Sequence, residues 1–372
     1  MDFAFTPDQT LLRNAARAFL DEHCPTAAVR ALAEEPRGES EALWKEMAQL
    51  GWLGLSLPED AGGSGLGMVE TAILLEELGR AVYPGPYAPT ILAATAIERA
   101  GSAAQRGRWL PAIAGGAARA TVALLEGELD WDSEATSARA DRVADGWRLT
   151  GVKEFVPWAH VADVVLVPAR APEGVTLFLV ESSAPGLRVT PRPGMDLALR
   201  QAALALDGVA VPGESRLGAP GAGGALLDEL LRRAAVGAAA EMLGAARRCL
   251  EMSVEYAKVR EQFGQPIGSF QAIRHRCADM LLEIENAHAA TYYAAWALDA
   301  RSEDHEVAAS VAKAYVSEAA RKVCGDAIQV HGGIGFTWEY DLHLYFKRAK
   351  ALEPMYGDAD WHRERIVRRV AG

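Results

Sequence analysis

The spacing of hydrophobic residues divides this chain into three regions. In residues 1–120 the apolar positions recur at helical spacing, for example at Leu11, Leu12, Ala15, Ala16 and Phe19. From about 121 to 220 the pattern changes to short β-like runs such as Val175-Thr-Leu-Phe-Leu-Val, separated by glycine-containing turns. Long helical stretches then follow, at 225–258, 269–301 and 305–329. The pattern predicts an α+β protein with an N-terminal helical domain (1–120), a middle antiparallel β domain (121–222) and a C-terminal helical bundle (223–372).

Charge and composition narrow the classes of partner. The 372 residues carry a formal net charge of −12, whereas a nucleic-acid phosphate backbone requires a basic face, so nucleic acid is not expected as the main partner. No apolar run approaches the ~20 residues that cross a bilayer. Residues 1–7 contain no basic segment followed by an apolar one, as a secretory signal would. We therefore expect a cytoplasmic protein without a membrane span.

The cysteines form no recognisable pattern. They are scattered along the chain, at Cys24, Cys249, Cys277 and Cys324. Neither a CxxC pair nor a repeated Cys/His ligand spacing occurs, so we expect reduced thiols and no metal site.

The segment from Arg260 to His275 contains more polar and aromatic side chains than a turn between helices requires. It interrupts one helical pattern at Gly264 and Pro266, and another helix begins near Ser269. A guanidinium group, carboxamides and aromatic rings surround this break. Planar, fork-shaped donors of this kind bind phosphates and heteroaromatic rings. The alternative is an interhelical turn with a few polar surface side chains.

A second chemically rich segment follows the helix that ends near Ala327. It has the sequence Gln329-Val-His-Gly-Gly-Ile-Gly-Phe-Thr-Trp338, in which glycines allow close backbone approach and Gln and His supply donors. By itself a glycine cluster after a helix is more often a cap and turn. The glycine cluster indicates a binding site only together with the Arg260–His275 segment, because both segments lie at helix ends of one predicted bundle.

With these segments, the chain resembles the acyl-CoA dehydrogenase family of flavoproteins over essentially its whole length. The resemblance also rests on the Met1–Phe19 opening, the Pro58-Glu-Asp-Ala-Gly-Gly-Ser-Gly loop, Glu76-Glu-Leu-Gly-Arg80 and Tyr256-Ala-Lys-Val-Arg-Glu-Gln-Phe-Gly264. It implies a fold ending in a four-helix bundle, FAD as cofactor and an acyl-CoA thioester as substrate. The implied reaction removes an α-proton and transfers the β-hydrogen as hydride to flavin N5.

The resemblance also implies which residues bind the cofactor and which partners are needed. The adenosine and diphosphate of FAD in a neighbouring subunit would be held by Arg260, Gln262, Phe263 and Gln271, with Gln329, His331, Gly332 and Gly333 along the same dinucleotide. Phe155 would stack on the flavin ring, although Phe155 and Trp158 can also be core aromatics. The implied assembly is a homo- or hetero-oligomer, usually a dimer of dimers, whose electrons pass to an electron-transfer flavoprotein or a similar acceptor.

The carboxylate base of the family is missing from both of its usual positions. Tyr356 stands where Glu is expected in a Tyr-Glu-Gly-Thr type segment, and Ala234 occupies the second position. Asp358 lies two residues after Tyr356, and Glu241 lies seven residues, roughly 10 Å of helix, after Ala234. Glu241 falls on an alanine stripe, where burial would raise its pKa and poise it as a base. The alternative is a glutamate paired with an arginine or a backbone group at a helix crossing.

Three functions follow from these departures. The chain is an FAD-dependent acyl-CoA dehydrogenase subunit that lacks the usual base and whose homologous partner supplies it, or a homotetrameric enzyme that uses Glu241 or Asp358. The third is a non-catalytic acyl-CoA-binding or scaffold subunit. Pro157, which has no hydroxyl for flavin N5, and the altered Val122–Gly127 segment favour the first. Mixed assemblies of the family are associated with bulky substrates such as steroid side-chain CoA esters, so fatty acid or steroid degradation is the expected context.

Overall fold

Helices and strands follow one another in the order that the hydrophobic pattern predicts. The computed structural model describes residues 4–371, so the first three residues of the Met1–Phe19 opening lie outside it. The first six helices are α1 (Pro7–His23), α2 (Thr26–Glu34), α3 (Glu41–Gln49), α4 (Met68–Arg80), α5 (Tyr87–Ala100) and α6 (Ala103–Ala114). The strands that follow are β1 (Ala120–Val122), β2 (Arg139–Val143), β3 (Gly146–Pro157), β4 (Val164–Ala171), β5 (Gly174–Glu181), β6 (Leu187–Arg192), β7 (Gln201–Pro212) and β8 (Arg216–Leu217). The remaining elements are α7 (Gly223–Val259), β9 (Glu261–Gln262), β10 (Gln265–Pro266), α8 (Gln271–Ala300), α9 (His305–His331), α10 (Leu342–Leu352) and α11 (Ala359–Ala371).

Contacts group these elements into two units that do not follow chain order. The bundle unit consists of residues 4–31, 68–83 and 235–371, and the sheet unit consists of residues 32–67 and 84–234. The division therefore separates helices of the predicted N-terminal domain, because α1 and α4 belong to the bundle unit whereas α3, α5 and α6 belong to the sheet unit.

The sheet unit is built around one mixed sheet. Its strand order is β6-β7-β3-β2-β4-β5-β8, and β1 pairs with β4. Most neighbours are antiparallel, as predicted, but β1 and β2 each run parallel to β4. Nearly every residue of β4 is buried, which is typical of a strand covered on both faces. Trp147 and Phe178 anchor the core, with ring centroids 5.5 Å apart.

In the bundle unit, helices α4 and α7 cross with their backbones almost in contact. A Cβ atom at Gly79 would lie 2.0 Å from the Glu241 carbonyl oxygen, and one at Gly244 would lie 1.8 Å from the Glu76 carbonyl oxygen. Only glycine fits such a crossing. Close approach of the two helices places Glu241 beside the C-terminal end of α4.

The C-terminal helices complete the bundle. Helix α9 packs against α8, α10 and α11, and small or β-branched residues of α7, α8 and α9 meet in the core, among them Ala246, Ala287, Val316 and Ala320. These residues keep helices close because their side chains are short.

Three further properties of residues 4–371 concern membrane-spanning helices, metal-binding groups and disulfide bonds. None of the helices there combines the length and apolar character that a bilayer crossing requires. The same residues contain no group of three or more His, Cys, Asp or Glu arranged to hold a metal ion. The four cysteines are free thiols.

Candidate active site and cofactor-binding surface

The break predicted at Gly264 is a short β-hairpin between α7 and α8. Strands β9 and β10 pair antiparallel, and the two residues between them, Phe263 and Gly264, have φ of 55° and 76°. Positive φ at both positions is the geometry of a tight hairpin turn, and it costs a phenylalanine free energy. The Phe263 side chain is 92% exposed. A strained turn that exposes an aromatic ring is typical of a contact with another molecule.

Polar side chains beside the hairpin are exposed, and the Gln262 carboxamide donates to the Glu261 carbonyl at 2.8 Å. The backbone of Arg260 is fixed at both ends, since its N–H donates to the Tyr256 carbonyl and its carbonyl accepts from Ile267 N–H, both at 2.8 Å. Among residues 4–371 its guanidinium has no hydrogen-bonding or ionic partner. Gln262 and Gln271 are exposed, and Gln271 begins α8, whose N-terminus has no side-chain cap. Uncapped N–H groups at a helix start favour an anion.

The glycine turn after α9 leaves its backbone open. Gly332 has φ of 64°, and a Cβ atom on Gly332 or Gly333 would meet nothing within 4 Å. Gln329 is exposed on the last turn of α9. By contrast, a Cβ on Gly335 would lie 2.7 Å from the Ile328 carbonyl oxygen, so that glycine serves internal packing. The open part of the turn can accept close approach of a ligand.

A stacked aromatic pair joins the two segments. The rings of Tyr256, at the end of α7, and His331, at the end of α9, lie 4.3 Å apart at 24°. The Nδ1–H of His331 donates to the Ala327 carbonyl at 2.8 Å, and its Nε2 accepts from the Tyr340 hydroxyl at 3.0 Å. Burial lowers the pKa of His331, which favours this neutral form. Both ring nitrogens are used, so His331 can support the turn but offers no free donor to a ligand.

In the sheet unit, Phe155 occupies a bulge at the end of β3. Lys153 pairs with Leu204 and Val156 with Ala202, which leaves one extra residue in β3, and Phe155 has φ of 50°. A bulge redirects the side chain that it carries. Phe155 is 39% exposed whereas Trp158 is 1% exposed, so Trp158 is a core aromatic and Phe155 is presented at the surface of the unit.

Glu126, in the altered Val122–Gly127 segment, is committed to structure. Its carboxylate accepts hydrogen bonds from the buried Lys153 ammonium group and from the backbone N–H groups of Ser137 and Ala138, at 2.9 and 3.0 Å. A carboxylate with this many donors is stable in its charged form and is not available to a ligand.

Glu241 pairs with an arginine at the crossing of α4 and α7. Its Oε2 lies 3.5 Å from Nη1 of Arg348, whose side chain is 2% exposed. The same guanidinium donates to the carbonyl oxygens of Val82 and Tyr83, at 3.5 and 3.2 Å, just after α4. Glu241 thus balances a buried charge that holds the segment just after α4. This geometry favours the arginine-paired alternative, and Glu241 as a base stays a prediction.

At the usual base position, the segment around Tyr356 offers no available carboxylate. Tyr356 is buried with φ of 62°, and burial together with the charge of Glu241 raises the pKa of its phenol. It therefore remains protonated at neutral pH and cannot act as a base. Asp358 is exposed, and its Oδ1 accepts from Trp361 N–H at 2.8 Å, which caps the start of α11.

Sequence reasoning missed two buried cations of the bundle unit, Arg348 and Lys313. Lys313 lies on α9 and is 0% exposed. Its position among Ala309, Ala312 and Val316 of the buried face was a usable indication, since a lysine is almost never fully buried without partners. Arg348 had no comparable indication, because its partners lie in two distant segments.

Comparison with known proteins agrees with this architecture. Sequence profiles of the acyl-CoA dehydrogenase N-terminal, middle and C-terminal domains match residues 6–117, 127–209 and 221–371. The chain therefore belongs to the acyl-CoA dehydrogenase family, as the resemblance predicts. It is an FAD-dependent oxidoreductase that acts on acyl-CoA.

Relatives and solved structures match over almost the full length. The acyl-CoA dehydrogenase IpdE2 of Mycolicibacterium smegmatis is 33% identical over 94% of this chain and 94% of its own. A steroid acyl-CoA dehydrogenase structure, Tcur3481–Tcur3483, has a TM-score of 0.90 at 37% identity and covers 98% of each chain. The ChsE4–ChsE5 complex from Mycobacterium tuberculosis has a TM-score of 0.92 at 31% identity, covering 100% of this chain and 99% of that one.

The cofactor that the family uses fits the donors of the bundle unit. The Arg260 guanidinium, the carboxamides of Gln262 and Gln271 and the open backbone of Gly332 and Gly333 suit a pyrophosphate and an adenosine. When bound, FAD supplies a hydride acceptor at flavin N5. The residues of this chain named here would contribute charge neutralisation and orientation.

Proposed function

We propose that this chain is the base-deficient subunit of a mixed acyl-CoA dehydrogenase assembly, in which a homologous subunit supplies the carboxylate. One observation carries the proposal: Glu241 pairs with Arg348, and Asp358 caps α11. Glu241 and Asp358, the two remaining candidates for the base, therefore both have structural partners within the chain. Tyr356 occupies the position where the family's base is expected. α-Proton removal needs a carboxylate within hydrogen-bond reach in a dry site.

The cofactor-binding groups support the same assignment. Arg260 has no partner for its guanidinium among the described residues, and Phe263 is 92% exposed on its strained turn. We infer that the Arg260–Gln271 segment and the Gln329–Gly333 turn hold FAD bound in the homologous subunit. This chain would then contribute to catalysis through the cofactor even though it lacks the base.

Names of similar proteins support the kind of assembly and substrate. ChsE4–ChsE5 is a complex of two named chains, and Tcur3481–Tcur3483 is named a steroid acyl-CoA dehydrogenase. We therefore propose a heterotetramer that acts on a CoA ester with a bulky, steroid-like acyl group in the cytoplasm. We also propose an electron-transferring flavoprotein as acceptor, since a neighbouring structure bears that name.

Purification tests the assembly. The chain is expressed alone and with a homologue that retains a Glu-Gly-Thr segment, and flavin absorbance is measured together with turnover of steroid-like and straight-chain acyl-CoA esters. We expect FAD and turnover only in the mixed assembly. A yellow, active homo-oligomer would contradict the proposal and favour Glu241 or Asp358, and a colourless chain under both conditions would favour a scaffold.

Restoring a carboxylate at the base position tests the mechanism. Tyr356→Glu places the missing group where the family carries it, whereas Tyr356→Gln has a similar shape without the charge. In the chain purified alone and supplied with excess FAD, we expect Tyr356→Glu to raise dehydrogenation at least tenfold above the rate of the unmodified chain and Tyr356→Gln to leave it at that background rate, since a positioned base contributes about 10²–10⁴-fold. Equal rates for the two variants would contradict this assignment of position 356.

A further inference from the structure

Lys313 is a buried cation whose hydrogen-bonding partners are neutral. Its Nζ donates to the carbonyl oxygens of Glu353 and Gly357, both at 2.8 Å, and to Oγ of Ser317 at 3.2 Å. The first two acceptors bracket the segment 353–357, which contains Tyr356. Two donors of one ammonium group therefore tie both ends of this segment to α9, and the third is held by Ser317 on α9 itself.

The carbonyl between these two ends is held from α11. Nε2–H of His362 donates to the Tyr356 carbonyl oxygen at 3.0 Å. Gly357 has φ of 96°, and a Cβ atom there would lie 2.5 Å from Cε3 of Trp361 and 2.9 Å from Nε2 of His362. The backbone at 356 and 357 is thus fixed by two hydrogen bonds, from His362 and Lys313, and by close packing that only glycine permits.

We propose that Lys313 is a positioning residue that fixes the backbone of segment 353–357 and thereby sets the direction of the side chain at position 356. What that side chain contributes to dehydrogenation rests on the proposed function, but the positioning itself does not. The backbone on either side of position 356 is thus held by Lys313 although the residue there is a tyrosine.

The charges around Lys313 indicate how the support depends on pH. Burial lowers the pKa of Lys313 to about 7, against the opposing charges of Asp358 and Glu353. The Glu353 carboxylate is paired with Lys350 and Arg321. Burial, together with the charge of Lys313, lowers the pKa of His362 to about 3, so His362 stays neutral in this range. Deprotonation of Lys313 above neutral pH leaves two N–H donors without the positive charge, so the hydrogen bonds to the Glu353 and Gly357 carbonyls are no longer charge-assisted and weaken.

Hydrogen exchange of the full-length chain tests the positioning without any need for turnover. Lys313→Met keeps the length of the side chain and removes its donors, and Val316→Ala, a buried position on the same helix that faces α7 and α8, is the matched control. We expect amide exchange in 353–358 to accelerate tenfold or more in Lys313→Met, and no more than twofold in Val316→Ala. Equal exchange in that segment for the two variants would overturn the proposal.

The unmodified protein provides an independent measurement if Lys313→Met does not fold. Exchange in 353–358, corrected for the intrinsic effect of pH, is compared at pH 6 and pH 9. We expect a specific acceleration at pH 9, where the ammonium group has lost a proton, relative to other segments of α9 and α10. Absence of this difference would count against Lys313 as the support.

Turnover separates this inference from the proposed function. In the Tyr356→Glu background, we expect Lys313→Met to lower kcat at least tenfold with KM for the acyl-CoA changed less than twofold, because the base is misdirected while the substrate still binds. Unchanged kcat would overturn the inference. If Tyr356→Glu itself gains no activity, the assignment of position 356 in the proposed function fails, and hydrogen exchange alone decides the role of Lys313.

Discussion

The pair formed by Glu241 and Arg348 gives a quantitative test of whether Glu241 is a structural residue or a base. At 3.5 Å, two unit charges attract by about 4–5 kcal/mol at an effective dielectric constant of about 20. Desolvation offsets part of this attraction, since the Arg348 side chain is only 2% exposed. Removing one partner nevertheless leaves the other charge buried without its counter-charge.

The expected cost differs between the two single variants. Glu241→Gln keeps an oxygen acceptor and loses the charge, so the free energy of unfolding should fall by about 1.5–3 kcal/mol. Arg348→Met also leaves the carbonyls of Val82 and Tyr83 without this donor, and should cost about 3–5 kcal/mol. The double variant should lose less than the sum, with a coupling of about 1–3 kcal/mol.

Urea unfolding followed by circular dichroism, at one protein concentration, measures these values, and turnover of the assembly is recorded in parallel. Glu318→Gln is the control, because Glu318 forms an exposed pair with Arg363 and should change stability by no more than about 0.5 kcal/mol. The reasoning is refuted if Glu241→Gln abolishes turnover, leaves stability unchanged and shows no coupling to Arg348→Met. That result would identify Glu241 as the base.

Two further predictions concern the cofactor segment and the helix crossing. Arg260→Ala should weaken FAD binding by tenfold or more, the effect of losing a charged hydrogen bond of about 1.5–3 kcal/mol. Arg368→Ala, at an exposed arginine of α11 that pairs with Glu364, should leave the flavin content of the purified assembly unchanged. Equal flavin content for the two variants would refute the assignment of the segment. Gly244→Ala should lower the free energy of unfolding by about 3 kcal/mol or more, because its Cβ would lie 1.8 Å from a backbone oxygen of α4. Gly107→Ala is the matched change in α6, where a Cβ meets nothing within 4 Å, and should stabilise by about 0.5–1 kcal/mol; similar melting temperatures for the two variants would contradict the packing argument.

The order of the elements could be predicted because periodicity records which face of an element is buried. The predicted helices 269–301 and 305–329 are α8 (Gln271–Ala300) and α9 (His305–His331). The β region predicted at 121–220 extends in the structure from Ala120 to Leu217. Local spacing could not predict the two parallel pairings of β4, since β-like runs do not specify which strands become neighbours.

The candidate site could be predicted where its residues are close in sequence. Arg260, Gln262 and Phe263 lie at one hairpin, where all three are exposed, and their role in binding FAD stays a prediction. His331 differs, because both ring nitrogens bind groups of its own chain. Only the folded backbone brings the Tyr340 hydroxyl to that ring, so the supporting role of His331 could not be read from its own sequence segment.

By itself, the sequence determined the order of helices and strands and the family, and it predicts that both usual base positions lack a carboxylate. The tertiary structure decided what the remaining charges do. Glu241 lies on a stripe that the helical period identifies, but its partner Arg348 is 107 positions further along the chain. Helical spacing likewise puts Lys313 on the buried face of α9, but its hydrogen-bond acceptors are carbonyl oxygens of the distant segment 353–357. A buried charge must find its partner in three dimensions, and helical periodicity specifies which face is buried without specifying which segment covers it.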